Sequence, residues 1–293
     1  MAVVALLPTG SLEFGAFAYE FSRLFQPHTF HVYPPERQLD GFTSNPVNSL
    51  VNNPDGPVTS RLEELAINLV ESIFRKRRNE PRFDFAFVVE DVELANDHQP
   101  DLVIRLFRDA VDRYAQQSWA QADQGKIVEI RERCSFHLFR PMVEAYFFGD
   151  AQALQRAGAV RSPQLPFDLD LEQFCTVDAR YRDLPENVNA FITDMPRRLR
   201  HPKSYLHYLC DPTTENKKAR YRETRGGIQA FRNLNWEQVL SSAPHCPFLH
   251  ALLDDVGQAL NQRNGATATT PENVLLDRVG LPPRLANAVS VVR

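Results

Sequence analysis

The stretch FDFAFVVEDVEL, residues 83–94, constrains this chain more than any other part of it. It is aromatic and β-branched almost without interruption, and then it ends in Glu90, Asp91 and Glu93. A half-exposed strand would alternate apolar and polar residues. A continuous run of this length and composition reads instead as a strand buried on both faces, the centre of a parallel sheet. Parallel neighbours need crossover helices between them, and the sequence has segments that fit. VVALLPTG (3–10), TFHVYP (29–34) and the start of CSFHLFRPMVEAYFFGD (134–150) read as further strands. SLEFGAFAYEFSRLFQ (11–26) carries Phe17, Phe21 and Phe25 at four-residue spacing after Ser11, a cap residue, and reads as a helix. RLEELAINLVESIFRKRR (61–78) and DLVIRLFRDAVDRYAQ (101–116) read as two more. Residues 35–58, rich in proline, asparagine and aspartate, read as a long loop.

The expected fold class is therefore α/β, a mostly parallel sheet with helices on both faces over residues 1–157. Residues 158–293 show helical patterns and few strand signals, so they read as a mainly helical extension packed on that sheet.

Charge and composition exclude several functions. With 33 Lys and Arg against 37 Asp and Glu, the net charge is −4. A chain like this binds nucleic acid only through a local patch. Cys134, Cys175, Cys210 and Cys246 form no C-x-x-C pair, which argues against a cysteine-based zinc site. They read as reduced, mostly buried thiols of a cytoplasmic protein. Apolar runs reach about six residues, far short of the roughly twenty that span a bilayer. The N-terminus lacks the basic region of a signal peptide. No G-x-S-x-G elbow, Walker A loop, G-x-G-x-x-G fingerprint or H-E-x-x-H pattern is present. His28 and His31, three apart on a strand, would point to opposite faces and not share a metal.

Ligands of open parallel sheets bind beyond the carboxyl ends of the strands. Asp91 and Glu93 stand there, two residues apart, and both can face a Mg²⁺ ion, which prefers hard oxygen ligands. From spacing alone, a solvated loop after a strand is the simpler account of them. Glu13, in the strand-to-helix turn PTGSLE, is either part of the same site or a favourable charge on the helix dipole. Further on, Lys203, Lys217, Lys218, Arg220, Arg222 and Arg225 are interleaved with Tyr205, Tyr208 and Tyr221. With Arg197, Arg198 and Arg200 they read as a phosphate-binding face with stacking aromatics, or as a solvated helix surface.

The order of these features, with the strings VEAYFFGD (143–150), HPKSYL (201–206) and YRETRGG (221–227), resembles the uncharacterised TOPRIM-like family encoded in bacterial defence islands, often beside ABC-type ATPases. The resemblance covers roughly residues 3–256. It implies a Mg²⁺-dependent nuclease of a prokaryotic anti-phage system, a hetero-oligomer with an ABC-type ATPase subunit. In TOPRIM domains a glutamate followed by glycine ends the first strand, and a D-x-D pair ends a later one. The resemblance assigns Asp91 and Glu93 to Mg²⁺, with Glu13 or Glu144 completing the set. On the nuclease reading, Lys203, Lys217, Lys218, Arg220 and Arg222 of the basic stretch grip the nucleic-acid backbone. The first-strand position is Thr9, before Gly10, and threonine cannot serve as a carboxylate ligand. That departure leaves a second class open: a catalytically degenerate subunit that binds a partner protein or nucleic acid.

Overall fold

The strands of the computed structural model are β1 (Val3–Pro8), β2 (Thr29–Val32), β3 (Phe85–Asp91) and β4 (Cys134–Phe139). They form one all-parallel sheet in the order β2-β1-β3-β4, so the 83–94 run does lie inside it. β3 is buried over every residue but its last. The structure describes residues 1–48, 57–74, 82–119, 124–184, 194–211, 221–243 and 245–263. The expected helix at 61–78 spans Pro57–Phe74, and its last four residues lie outside the described residues.

Side-chain alternation builds two cores. Val4, Leu6, Phe85, Phe87, Val89 and Phe139 face one side, against Leu12, Ala16, Phe17 and Phe21 of α1 (Ser11–Leu24). Ala5, Leu7, Ala86, Val88, Phe136 and Leu138 face the other. There they meet Leu62, Leu65 and Leu69 of α2 (Pro57–Phe74) and Val103, Phe107 and Val111 of α3 (Pro100–Trp119). α4 (Gln124–Arg133) then leads into β4. The fold is α/β with helices on both faces of the sheet.

The later helices are α5 (Ala151–Ala157), α6 (Ala179–Arg182), α7 (Met195–Leu199), α8 (Pro202–Cys210), α9 (Ile228–Arg232), α10 (Trp236–Ser242) and α11 (Pro247–Arg263). They add most of their apolar side chains to the first core, while Phe248 of α11 joins the second. Tyr205, Leu206, Phe231, Trp236, Leu249 and Leu252 belong to the same cluster as Val4 and Leu6. Phe231 stacks on Phe17 at 4.7 Å, and the Trp236 indole N–H donates to Glu20 at 2.8 Å. Glu172 receives the first N–H groups of α11, from Phe248 (3.1 Å) and Leu249 (2.9 Å), and the Tyr146 hydroxyl (3.0 Å). Those donors are ones that a helix start leaves unsatisfied. The core thus crosses residue 157 without a break. Residues 264–293 of the expected extension lie outside the described residues. Among the described residues no helix is long and apolar enough to cross a membrane.

Phe17 sits where α1, β4 and α9 meet, with Phe139 and Phe231 against its ring. Phe17→Ala is expected to cost about 3–5 kcal/mol in urea unfolding. Fluorescence at the extension's Trp236 and far-UV circular dichroism should give one coincident transition, because the two halves share that core. Two separated transitions would contradict it.

Candidate functional site

The site forms where β1 and β3 end side by side. β1 ends at Pro8, Thr9 and Gly10 turn, and α1 begins at Ser11 with Gly10 as its N-cap. Glu13, in the first turn, is buried. Its carboxyl folds back over Gly10, so closely that a Cβ on Gly10 would lie 1.9 Å from Glu13 Oε2. A side chain at position 10 would have to push that carboxyl aside.

β3 ends at Asp91, and the chain then turns through Glu93, whose φ of 62° is left-handed. Few non-glycine residues adopt that conformation. The end of β4 holds the turn, since Val92 N–H donates to Phe139 O and Glu93 N–H to Pro141 O, each at 2.8 Å. Asp91 Oδ1 in turn accepts the Val143 N–H at 2.9 Å. Val143 opens a 3₁₀ turn, Val143–Gly149, that carries the buried Glu144. Below it, Arg140 donates to Asp97 Oδ1 at 2.6 Å while Arg200 pairs with the other oxygen, which ties β4 to α7 and α8.

The extension supplies the rest. Lys203, at the start of α8, forms an ion pair with Glu223. Glu223 begins a π-helical turn, Glu223–Gly227. Gly226 and Gly227 let that turn pack closely, because a Cβ on either would lie 2.5 Å from Ala157 O or Tyr221 Oη respectively. The Tyr221 hydroxyl donates to Glu144 at 3.2 Å. On the opposite side the 41–47 loop covers the strand ends. Glu90 Oε1 accepts Phe42 N–H (2.7 Å), Thr43 N–H (2.9 Å) and the Thr43 hydroxyl (2.7 Å). Asn96 holds the same loop by accepting Val47 N–H at 2.8 Å and donating to Thr43 O at 2.6 Å.

These parts enclose a cavity of about 210 Å³, lined by Thr9, Gly10, Glu13, Thr43, Glu90, Asp91, Glu93, Glu144, Lys203 and Glu223 among others. Its carboxylates crowd one another. Burial, then the charges of Glu144 and Glu223, push Glu13 up to about 8. Burial and then Glu223 push Glu144 up to about 7, against the pull of Lys203. Asp91 is raised well above the usual range by burial and by Glu13, Glu93 and Glu144. Glu93 is raised by burial, with Lys203 opposing and Glu223 adding. Glu90 is pushed up to about 7 by burial, although its hydrogen bonds from Thr43 and Phe42 oppose this. Lys203 is held protonated: burial works against its charge, but Glu144 and Glu223 outweigh burial.

Glu13, the Asp91–Glu93 pair and Glu144, from three separate segments, thus line one cavity. Their donors are hard oxygens, which suit Mg²⁺. Among the described residues no group of three or more His, Cys, Asp or Glu is drawn together closely enough to hold a metal ion. The positive charge among these carboxylates is that of Lys203.

The basic stretch is arranged differently from its reading in the sequence. Lys203 lies in the acidic cavity, not on an open basic face. Arg222, next to Glu223, is exposed, as is Arg225. Lys217, Lys218 and Arg220 lie outside the described residues. The expected stacking aromatics are core residues: Tyr205, Tyr208 and Tyr221 are buried, and their hydroxyls are used inside the protein. Arg198 is buried too, donating to Leu184 O at 3.0 Å. Sequence reasoning gave no role to Glu223 or to the Glu90 clamp. The two glycines after Glu223 were the one signal that its backbone is tightly packed.

Compared with known proteins, the chain matches no family model, no curated protein and no solved structure.

The raised carboxyls set a pH dependence. A carboxyl whose folded pKa exceeds its unfolded value binds more protons in the folded state. The stability it contributes is present below its unfolded value of 4.5 and is lost as pH rises toward the folded value, about 8 for Glu13 and about 7 for Glu144. In chelator-containing buffer, Glu13→Gln should match wild type in Tm near pH 4.5 and exceed it increasingly up to pH 8. A difference independent of pH would show that Glu13 does not titrate there. Gly10→Ala should displace the Glu13 carboxyl and so flatten the wild-type pH dependence in the same way.

Proposed function

We propose that this protein is a divalent-cation-dependent nuclease that cleaves phosphodiesters at the acidic cavity. One observation carries the reading: four carboxylates and a lysine from distant segments converge at the carboxyl end of a parallel sheet. Mg²⁺ is the ion this donor set suits, and Asp91 and Glu93, with Glu13 and Glu144, would hold it. When bound, such an ion polarises a phosphoryl oxygen and makes water a better nucleophile. The chain's own groups do the rest. Lys203, kept charged by Glu144 and Glu223, supplies positive charge for the phosphoryl oxygens. Arg222 and Arg225, exposed around Glu223, suit contact with the backbone of a nucleic acid. Lys217, Lys218 and Arg220 join them on sequence grounds.

The prokaryotic anti-phage setting and the ABC-type ATPase partner rest on the family resemblance alone, and the cytoplasmic location on four cysteines that read as reduced thiols. The second reading is a degenerate subunit that binds its partner or nucleic acid without cleaving. It is favoured by Thr9 at the first-strand position and by there being, among the described residues, no ready-made set of three ligands.

Cleavage of plasmid, single-stranded DNA and RNA with Mg²⁺, with and without a neighbouring ATPase, separates the two. The nuclease reading expects cleavage that Asp91→Asn abolishes, with nucleic-acid binding kept. Thr9→Glu should raise it. Reversing Lys217, Lys218, Arg220 and Arg222 to glutamate should abolish binding, and each lost contact should flatten the salt dependence by about one unit of slope. No cleavage from wild type or Thr9→Glu in any mixture, together with charge reversals that weaken only ATPase association, would establish the second reading.

A further inference from the structure

We infer that Arg197 and Arg200, with Arg140 beside them, form a phosphate-binding patch at the rim of the acidic cavity, and that its ligand is the backbone of a nucleic-acid strand. The kind of ligand rests on the reading above; the patch rests on packing and charge.

Packing sorts the arginines of this stretch into two kinds. Over residues 194–203 four basic side chains stand against one acid, Asp194, in a chain whose net charge is −4. Arg198 serves the fold, buried with its guanidinium on Leu184 O. Arg197 and Arg200 are exposed. Among the described residues Arg197, on α7, makes no ion pair and no side-chain hydrogen bond. Arg200 pairs with Asp97 through one terminal nitrogen, and among the described residues its other two side-chain nitrogens make no bond. Arg140 holds the same residue, donating from Nε to Oδ1 at 2.6 Å and from a terminal nitrogen to the carbonyl at 2.9 Å. Two guanidiniums on one carboxylate leave a positive charge over. They also leave both forks held in place before a ligand arrives, which lowers the cost of binding one. A planar fork of this kind matches the oxygens of a phosphate.

The patch adjoins the cavity through both of its chain segments. Arg140 is followed by Pro141, whose carbonyl accepts the Glu93 N–H, and by Met142, which lines the cavity. Arg200 stands three residues before Lys203, the ammonium of the cavity. The His201 ring lies between them and is held down to about 4 by burial and then by the charges of Lys203 and Arg197. Lys203 pairs in turn with Glu223, which Arg222 and Arg225 flank as exposed side chains. Positive groups therefore continue from Arg197 and Arg200 through Lys203 to Arg222 and Arg225, while Glu13 and Glu144 stay buried. A polyanion approaching buried carboxylates is repelled unless a positive rim draws it in. Arg197 and Arg200 supply that rim on the Lys203 side of the ion pair.

The test is fluorescence anisotropy of labelled oligothymidylate and oligouridylate over a range of salt, in chelator so that neither is cleaved. The proteins are wild type, Arg197→Glu, Arg197→Glu/Arg200→Gln and Arg105→Glu. Arg105 is exposed on α3, which packs on the other face of the sheet. Its reversal changes the net charge as Arg197→Glu does, away from the patch. Arg197→Glu should keep the Tm of wild type and weaken binding at least about fivefold. It should also lower the slope of log Kd against log salt by about 0.7, the share of one phosphate contact with a single strand. The double variant should lower the slope by about 1.4. Both oligonucleotides should lose alike, because phosphate contacts carry no base information. Arg105→Glu should keep the wild-type slope. The inference is overturned if Arg197→Glu keeps that slope, or if Arg105→Glu flattens it as much. Cleavage by wild type with an unchanged slope in Arg197→Glu would sink the patch and keep the nuclease. Binding that Arg197→Glu flattens, with no cleavage once Mg²⁺ is added, would sink the nuclease and keep the patch. Wild type that binds neither oligonucleotide overturns the patch outright.

Discussion

The structure depends on one constraint: β3 is buried on both faces and then ends in charge. Burial on both faces requires a parallel ladder on each side and a helical layer above and below. The ladder registers Pro8 of β1 with Val89 and Phe139 of β4 with Asp91. The strand ends therefore lie at one level. Whatever follows β1, β3 and β4 in the chain is delivered to the same edge. That is how Glu13, the 90–93 acids and Glu144 come to line one cavity.

Gathering carboxylates in this way is costly, because burial and mutual repulsion both disfavour their charged forms. The fold offsets the cost with specific groups. Val143 N–H donates to Asp91, Tyr221 donates to Glu144, and Lys203 brings an ammonium among them. Removing one partner from such a buried set leaves the others uncompensated. Burial and mutual repulsion still raise these carboxyls, so the compensation is incomplete. Perturbed groups of this kind cluster at functional sites.

The helical extension is part of the site and not an appendage to it. Lys203 and Glu223 line the cavity and Tyr221 bonds its Glu144; all three come from residues beyond 200, held there because α8, α9 and α10 share the first core with the sheet. Their positions are fixed by packing on residues such as Phe17 and Glu20 and by the glycines of the π turn. Electrostatics at the sheet edge and stability of the core are thus coupled through the same helices.

The sequence by itself determined the sheet. Strand composition, the period of the helices and their alternation with the strands leave few arrangements for residues 1–157, and β3 reads as central. It also marked the acids after β3, since charge directly beyond a doubly buried strand must lie at a sheet edge. It did not determine the role of the 197–225 stretch. A run of lysines, arginines and tyrosines reads alike whether its rings face solvent or core, because periodicity reports a face and not its neighbour. Only tertiary packing turned Tyr205 and Tyr208 inward, placed Lys203 among carboxylates and brought Glu223 opposite it. Glu90 is the clearest case. Its charge is plain in the sequence, but which of its oxygens the loop takes, and that the other is left over, depends on residues some fifty positions away that only the folded chain brings to it.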